Sequence, residues 1–582
     1  MLVVESILEP PRSGRVLVLG SDTRSFLGVV RSLGRYGLEV ESAWSNASSV
    51  ALTSRFLTAN HDLPLPWESD NWIDSMNHLM RSREYDLVIP CNDPSLIPLQ
   101  AARDQLLWPK RYYLLDHAVF EITQSKARNT ELAQSLGIPV PEHRVIKTVE
   151  EGIEFSKLIG FPVVLKPISS YSENKLTRKR TVATVQNEKE LKLVLSHMLQ
   201  HSLVQAQEYF DGVGTGVEFL ANNGETQFAF QHLRLHEPLK GGGSSYRKSI
   251  TLHPGMLKAA QEIVAKLRYS GVGMVEFRWD RQTDQWTFVE VNGRFWGSLP
   301  LAIASDADFP KYLYQSQVEQ VHGFLQQYRT GVCCRNWERD KRWFSEIRST
   351  HGNLRFFKTG VLEISQSLGR IATLREHSDT FALDDPKPGL SEIASIAHSI
   401  LSGGFHKFRS ALANTSFYRN RNRNRLVELI PSTRSILFVC KGNICRSSFA
   451  QRYASKVMPA NIALDSAGYF PRANRPAPVN AQEAARQLNV NLTDHRSKTL
   501  TQESVGEVDL ILVFDQENFD RVRKDFPTSK RKTFFIKNIE LHDDLIISDP
   551  FSSSVDNFVQ TYQRIQRSID ELAKRLIEFQ KS

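Results

Sequence analysis

Short apolar runs alternate with amphipathic helical stretches along most of this chain. Arg15-Val-Leu-Val-Leu19 reads as a buried strand that passes through Gly20-Ser-Asp-Thr-Arg24 into a helical pattern ending near Gly37. Leu38–Ala43 and Tyr85–Pro90 are the next strands, so residues 14–117 are expected to form a parallel α/β domain. The Gly20 turn lacks the further glycines of a dinucleotide loop and reads as a structural turn. Residues 118–330 mix helical periods with alternating strands such as Trp286–Asn292, a pattern that suits an α+β domain with antiparallel sheets. Residues 331–432 show no sustained period and read as a connector. Over 433–582 a new α/β pattern opens with Ile436–Val439 and closes on a helix. That helix carries Phe558, Tyr562, Ile565, Ile569, Leu572, Leu576 and Phe579 at core spacing.

Composition adds limits rather than chemistry. At 582 residues the chain has room for three or four domains, and 41% hydrophobic with 24% charged residues is ordinary for globular folds. No apolar run is long enough for a membrane span, and the N-terminal MLVVESILEPPRSG lacks the apolar core of a secretory signal. The five cysteines (Cys91, Cys333, Cys334, Cys440, Cys445) form neither a disulfide framework nor a C-x-x-C zinc pair, so a cytoplasmic protein is expected. The net charge of +9 is modest, and nucleic acid is not an expected partner. From Ile393 to Val427 there are six Lys/Arg and no Asp/Glu, ending in alternating arginines at 419, 421, 423 and 425. A solvated linker is the plainer reading of that stretch, and contact with an anionic surface the sharper one.

Two stretches carry chemistry. The strand 436–439 delivers Cys440-Lys441-Gly442-Asn443-Ile444-Cys445-Arg446-Ser447-Ser448, followed by a helical pattern. A cysteine and an arginine six positions apart at a strand–helix junction can face one phosphate while the intervening amides wrap it. The positive helix end favours the thiolate form of a cysteine placed there. Gly442 and Asn443 tolerate left-handed backbone, and Ser447-Ser448 reads as a helix cap. This run, with Asp465-Ser-Ala-Gly468, Asp494-His-Arg-Ser497 and Ser548-Asp549-Pro550, resembles the low-molecular-weight protein tyrosine phosphatases over about 433–582. The resemblance implies a doubly wound parallel sheet. It also implies a phosphocysteine mechanism, with Cys440 as nucleophile, Arg446 on the transition state and Asp549 as acid and base. Lys441 to Cys445 and Ser447 would shape the phosphate loop, and Cys445 could protect Cys440 by a reversible disulfide. Phe551 stands where many relatives have tyrosine, which leaves open whether the substrate is a phosphotyrosyl protein or a small phosphate monoester.

Upstream, Met274-Val-Glu276-Phe and Phe288-Val-Glu290-Val-Asn292-Gly-Arg294 read as two strands of a hairpin through Asp280–Gln285, with Glu290, Asn292 and Arg294 on one face. Lys166 ends an apolar strand, Lys126 opens a helix, and Gln207-Glu208-Tyr209-Phe210 turns a strand into a polar hinge. In this order the elements resemble the ATP-grasp superfamily, particularly carboxylate–amine ligases and carbamoyl-phosphate-synthase-like members. The fold class implied is multidomain α/β: a pre-ATP-grasp domain, α+β ATP-grasp domains, then the phosphatase. The resemblance implies ATP and Mg²⁺, with Mn²⁺ as the alternative ion, and small-molecule carboxylate and amine substrates. Lys126 and Lys166 would bind phosphates, Gln207 to Phe210 adenine, Glu218 ribose, and Glu276, Glu290 and Asn292 the metal. Arg294 would meet the γ-phosphate or acyl phosphate. The loop after Lys166, with its serines and four basic residues, departs from the usual glycine-rich lid. The segment from Arg234 to Arg247 reads as either a substrate loop or a surface hairpin. One reading is a bifunctional enzyme whose two activities serve one pathway. The alternative is a tyrosine phosphatase with a regulatory, ATP-binding or partner-recruiting module.

Overall fold

The computed structural model describes residues 14–169, 171, 180–238, 243–399, 416–540, 545–551 and 553–581. The chain divides into two units, one ending at Ile396 and the other beginning at Ala397.

The first unit opens with four parallel strands, β1 (Arg15–Leu19), β2 (Glu39–Ala43), β3 (Leu57–His61) and β4 (Leu87–Pro90), in the order β3-β2-β1-β4. Val16 to Leu19 are all fully buried, which explains why β1 is apolar throughout: a parallel strand is covered on both faces. The helix Ser25–Arg35 turns Phe26, Leu27, Val29, Val30 and Leu33 inward. A second sheet, antiparallel, takes β5 (His143–Ile146), β6 (Val163–Pro167), β7 (Ala183–Val185) and β8 (Val204–Glu208) in the order β5-β8-β6-β7.

The third sheet has seven strands: β9 (Val213–Asn222), β10 (Glu225–His236), β11 (Tyr246–Ile250), β12 (Gly271–Trp279), β13 (Trp286–Asn292), β14 (Cys333–Arg335) and β15 (Glu376–Ser378). Their order is β13-β12-β9-β10-β11-β14-β15. Val217, Phe219 and Ala221 alternate onto one face, against Met256, Ala260 and Val264 of the helix Pro254–Leu267. Leu220, Phe230 and Met274 turn to the other face, in one cluster with Phe26, Val30 and Leu33. The sheet therefore fastens the N-terminal α/β layer to the rest of the unit.

Residues 331–396 are part of this fold rather than a spacer. β14 and β15 extend the large sheet, and the helix Trp337–Ala372 joins them. Strands of three residues are too short to show a period, so the sequence pattern misses them. Their acids answer arginines from elsewhere in the unit. Arg31 pairs with Asp385 at 2.9 Å and donates to the Thr380 carbonyl, and Arg247 pairs with Asp379 at 2.5 Å. His236 meets Asp340 at 2.7 Å and stacks on Trp343 at 3.6 Å, while Arg335 pairs with both Asp340 and Glu363. Burial pushes the Asp340 carboxyl upward, but the His236 hydrogen bond and the His236 and Arg335 charges outweigh it and hold it below its usual range.

The second unit is a four-stranded parallel sheet of β16 (Ser435–Cys440), β17 (Ala463–Gly468), β18 (Leu510–Val513) and β19 (Thr533–Phe535), ordered β17-β16-β18-β19. Ile436 and Phe438 enter one core cluster and Leu437 and Val439 the other, so the sheet is covered on both sides. The helix Val555–Lys581 buries Phe558, Tyr562, Ile565, Ile569, Leu572 and Leu576. Phe579, expected in that stripe, is 43% exposed at the helix end. The arginine-rich run 419–425 is helical, within Ser416–Leu429, and Leu426 anchors that helix in the core.

Replacing Asp340 by Asn removes the buried carboxylate that Arg335 and His236 share, leaving them Glu363 and, for Arg335, Glu376. The first unit should lose about 3 kcal/mol, seen as an earlier thermal transition. Phosphate ester hydrolysis by the second unit should be unchanged.

Candidate active sites

β16 ends at Cys440, at the point where the strand order reverses: the chain moves first to β17 on one side and later to β18 on the other. Loops at such a point open a crevice at the carboxyl ends of the strands. The loop 441–445 lies there, and the helix Arg446–Val457 starts directly after it. Cys440 is 2% exposed, and its sulfur receives the Asn443 amide at 3.3 Å and lies 3.1 Å from the Ser447 hydroxyl.

Asn443 shapes the loop. It is left-handed, with φ of 52°, and its side-chain amide donates to Ser447 Oγ at 3.0 Å and Ser466 Oγ at 2.9 Å. Its side-chain oxygen accepts from the Lys498 amide at 2.8 Å, and its carbonyl meets His495 Nε2 at 2.6 Å. Gly442, expected to share this conformation, has no positive φ; it faces the Arg475 guanidinium, which donates to its carbonyl at 2.6 Å. Gly468 is required by contact: a Cβ there would lie 2.8 Å from both Asn443 N and Lys441 O. The Ser447–Ser448 pair is not a helix cap, because the helix already begins at Arg446. Ser447 instead serves the sulfur, and Ser448 donates to the Cys445 carbonyl at 3.0 Å. Ile444 and Cys445 turn into the core, and burial pushes the Cys445 thiol up, with the Cys440 charge adding to it. The Lys441 ammonium points outward to Glu517 at 3.2 Å.

Arg446 is 1% exposed. It pairs with Asp515 at 2.5 Å, donates to the Ile547 carbonyl at 2.9 Å and reaches Asp549 at 2.9 Å. Its Nε is buried without a partner among the described residues, which suits an oxyanion receptor. Burial opposes the charge, but Asp515 and Cys440 hold the guanidinium firmly protonated. Asp515, Ser466, His495 and Arg475 were not given roles by motif reasoning. Asp515 was findable, since it follows the strand 510–513 at the same sheet end as Cys440. Phe551 is 57% exposed beside Asp549, and Phe470, 40% exposed, carries Arg475 over its ring at 4.3 Å.

In the first unit, β12 and β13 form the expected hairpin, with Glu276 directly opposite Glu290. Glu276 pairs with Arg234 at 2.7 Å across β9. That reach needs Gly214, where a Cβ would lie 2.6 Å from Arg234 Cδ. The Asn292 amide donates to Glu290 at 3.3 Å. Lys126 and Lys166 are both buried, and Lys166 lies within electrostatic reach of both acids and of Lys126. Burial lowers the Lys166 pKa to about 8; Glu290 and Glu276 pull it up, and Lys126 and Arg278 pull it down. Arg294 lies just beyond β13 rather than on it, and Asp93 grips its guanidinium at 2.6 and 3.0 Å.

Glu208, Tyr209 and Phe210 line a cleft of about 490 Å³ with Pro139–Pro141 and Asp284–Thr287. Gln207 is buried in β8, opposite Val164. Glu218, expected at a ribose, is instead fully buried with its carboxylate against His232 at 2.5 Å and Ser298 at 3.1 Å. β9 is a central strand, and this face of it is covered, which the motif alone could not show. Most of the lid segment (170, 172–179) and, in the 234–247 segment, residues 239–242 with Gly241 and Gly242 lie outside the described residues.

Comparison with known proteins separates the two units. Residues 435–581 match the family described as low molecular weight phosphotyrosine protein phosphatase. Over 143 residues the chain is 36% identical to the low molecular weight protein-tyrosine-phosphatase Etp of Escherichia coli K12, covering 24% of this chain and 94% of that one. It is 31% identical over 144 residues to the protein-arginine-phosphatase of Bacillus subtilis, covering 24% and 95%. An L-amino acid ligase from Bacillus licheniformis overlays 53% of this chain and 75% of its own, at 17% identity and a TM-score of 0.43.

Asn443→Ala removes the bonds that hold the loop around the sulfur. Turnover of p-nitrophenyl phosphate should fall about 100-fold, with circular dichroism unchanged.

Proposed function

Because the chain belongs, through residues 435–581, to the low molecular weight phosphotyrosine protein phosphatase family, we propose that its second unit hydrolyses phosphate monoesters through Cys440. The Cys440 thiolate attacks phosphorus, and the S–P bond forms as the P–O bond to the leaving group breaks. Asp549 gives its proton to the departing oxygen. It then takes a proton from the water that attacks the phosphocysteine, so inorganic phosphate leaves and the thiolate returns. Arg446 and the loop amides hold the equatorial oxygens. The observation that carries this reading is the convergence on one loop of a buried sulfur and a buried guanidinium, with the Asp549 carboxylate 2.9 Å from the latter. The exposed rings of Phe470 and Phe551 favour an aromatic leaving group, as on a phosphotyrosyl side chain.

For the first unit we propose ATP- and Mg²⁺-dependent ligation of a carboxylate to an amine through an acyl phosphate. The donor set fits: two facing carboxylates and an amide supply oxygen ligands of the kind Mg²⁺ or Mn²⁺ takes. When bound, the ion offsets charge building on the transferring phosphate. Lys126 and Lys166 would hold phosphate oxygens, Glu208 to Phe210 would border the base in the hinge cleft, and Arg294, oriented by Asp93, would meet the acyl phosphate. No helix among the described residues is long and apolar enough to cross a membrane. A catalytic thiol beside a second cysteine favours a reducing, cytoplasmic compartment.

The two activities should separate cleanly. Cys440→Ser should abolish p-nitrophenyl phosphate hydrolysis and leave ATP binding intact. Glu290→Gln should do the reverse, and loss of both activities in either variant would sink the partition. Lys166 loses its proton as pH rises through about 8, so its pull on phosphate is present below that pH and lost above it. Affinity for MgATP should weaken from about pH 7 to about pH 9, and Lys166→Arg should flatten that slope.

A further inference from the structure

Three arginines converge in the first unit at a place to which the proposed phosphate lysines have not been assigned. Arg24 comes from the turn after β1, Arg247 from β11 and Arg339 from the first turn of the helix Trp337–Ala372. The Arg24 guanidinium lies flush on the main chain at Gly297, where a Cβ would sit 2.1 Å from its Nη1. The Nη1 atoms of Arg24 and Arg339 are 3.3 and 3.6 Å from a single point, the position a Cβ would take on Gly243. Two glycines thus keep this corner clear of side chains.

The acids nearby are already engaged. Asp22 accepts from the amides of Arg24, Ser25 and Phe26 and from the Ser25 hydroxyl, holding the start of the helix. Asp379 binds Arg247 at 2.5 Å, the Cys334 thiol at 3.2 Å and the Asn336 amide at 3.0 Å. Among the described residues, no carboxylate makes an ion pair with Arg24 or Arg339. Arg247 is 1% exposed and its buried Nε has no partner among the described residues, an orphan donor on a buried side chain. Burial, and next the Arg339 charge, bring the Arg24 pKa down to about 10. Like charges packed this way call for an anion between them.

The position ties the cluster to the site already described. Arg247 stands opposite Arg234 across β10 and β11, and Arg234 in turn grips Glu276. Gly297 follows Arg294 by three residues, and its neighbour Ser298 donates to Glu218. We propose that Arg24, Arg247 and Arg339 bind an oxyanion, carboxylate or phosphate, of the small molecule that the first unit modifies. That the molecule is a ligation substrate rests on the reading above; the anion site does not.

Arginine modification by phenylglyoxal on the full chain, with adducts located by peptide mass spectrometry, tests the site residue by residue. Inorganic phosphate and succinate are the probes. At a probe concentration ten times its dissociation constant, adducts at Arg24 and Arg339 should form about tenfold more slowly. Exposed Arg55 should be unaffected. The more protective probe identifies the anion class. Arg339→Gln should remove the protection of Arg24, and Arg24→Lys should retain that of Arg339. Unchanged adduct rates with both probes, or full Arg24 protection in Arg339→Gln, would overturn the site. MgATP binding measured on the same protein separates the two ideas: binding without protection defeats the anion site alone, and protection without binding defeats the ligase reading alone.

Discussion

A buried guanidinium cannot shed its proton, so a fold that buries one must surround it with acceptors. This chain does so repeatedly. Arg31 is answered by Asp385, Arg247 by Asp379 and Arg335 by Asp340 in the first unit, and Arg446 by Asp515 and the Ile547 carbonyl in the second. In low dielectric, breaking such a pair costs more than making it contributes. The pairs therefore act chiefly as constraints on how elements may be arranged. Arg31 ties the first helix to the segment near residue 385, and Arg335 ties the edge of the large sheet to the long helix.

The same constraint separates structural arginines from those suited to chemistry. Each guanidinium nitrogen of Arg31 donates to a protein acceptor, and it reads as part of the scaffold. Arg446 keeps a buried Nε without a partner among the described residues, beside a sulfur and a carboxylate, where a phosphate can complete its shell. Arg24 and Arg339 make no ion pair with an acid among the described residues, though the charges of Asp22 and Asp379 reach both. What distinguishes Arg446 and Arg247 is a buried donor that no described residue accepts.

Glycines set where backbone and charge may approach. Gly468 lets β17 press against the phosphate loop, Gly214 lets Arg234 cross β9 to Glu276, and Gly297 gives Arg24 its bed. Each is an absence of Cβ that a neighbouring strand or loop requires. Gly468 falls in a run that resembles the phosphatases, whereas Gly214 and Gly297 sit in no pattern that local sequence could have marked as functional.

Much of the phosphatase unit was legible beforehand, because its chemistry is local: Cys440 and Arg446 lie on one strand–loop–helix, six residues apart. The hairpin carrying Glu276 and Glu290 was legible for the same reason, since alternation and a turn fix which side chains share a face. Contacts between distant segments were not. Asp515 and Asp93 each meet an arginine far away in sequence, and only the closed sheets bring them together. Glu218 looked available and proved sealed, because burial on a central strand depends on what covers the sheet. Residues 331–396 looked like a spacer because three-residue strands have no period, yet they hold the acids that the first unit's arginines need. The sequence by itself determined the local elements and the reactive groups they carry. The tertiary structure decided which of those groups are neutralised and which remain open, because a charge's partners are set by distance in space and by exclusion of water.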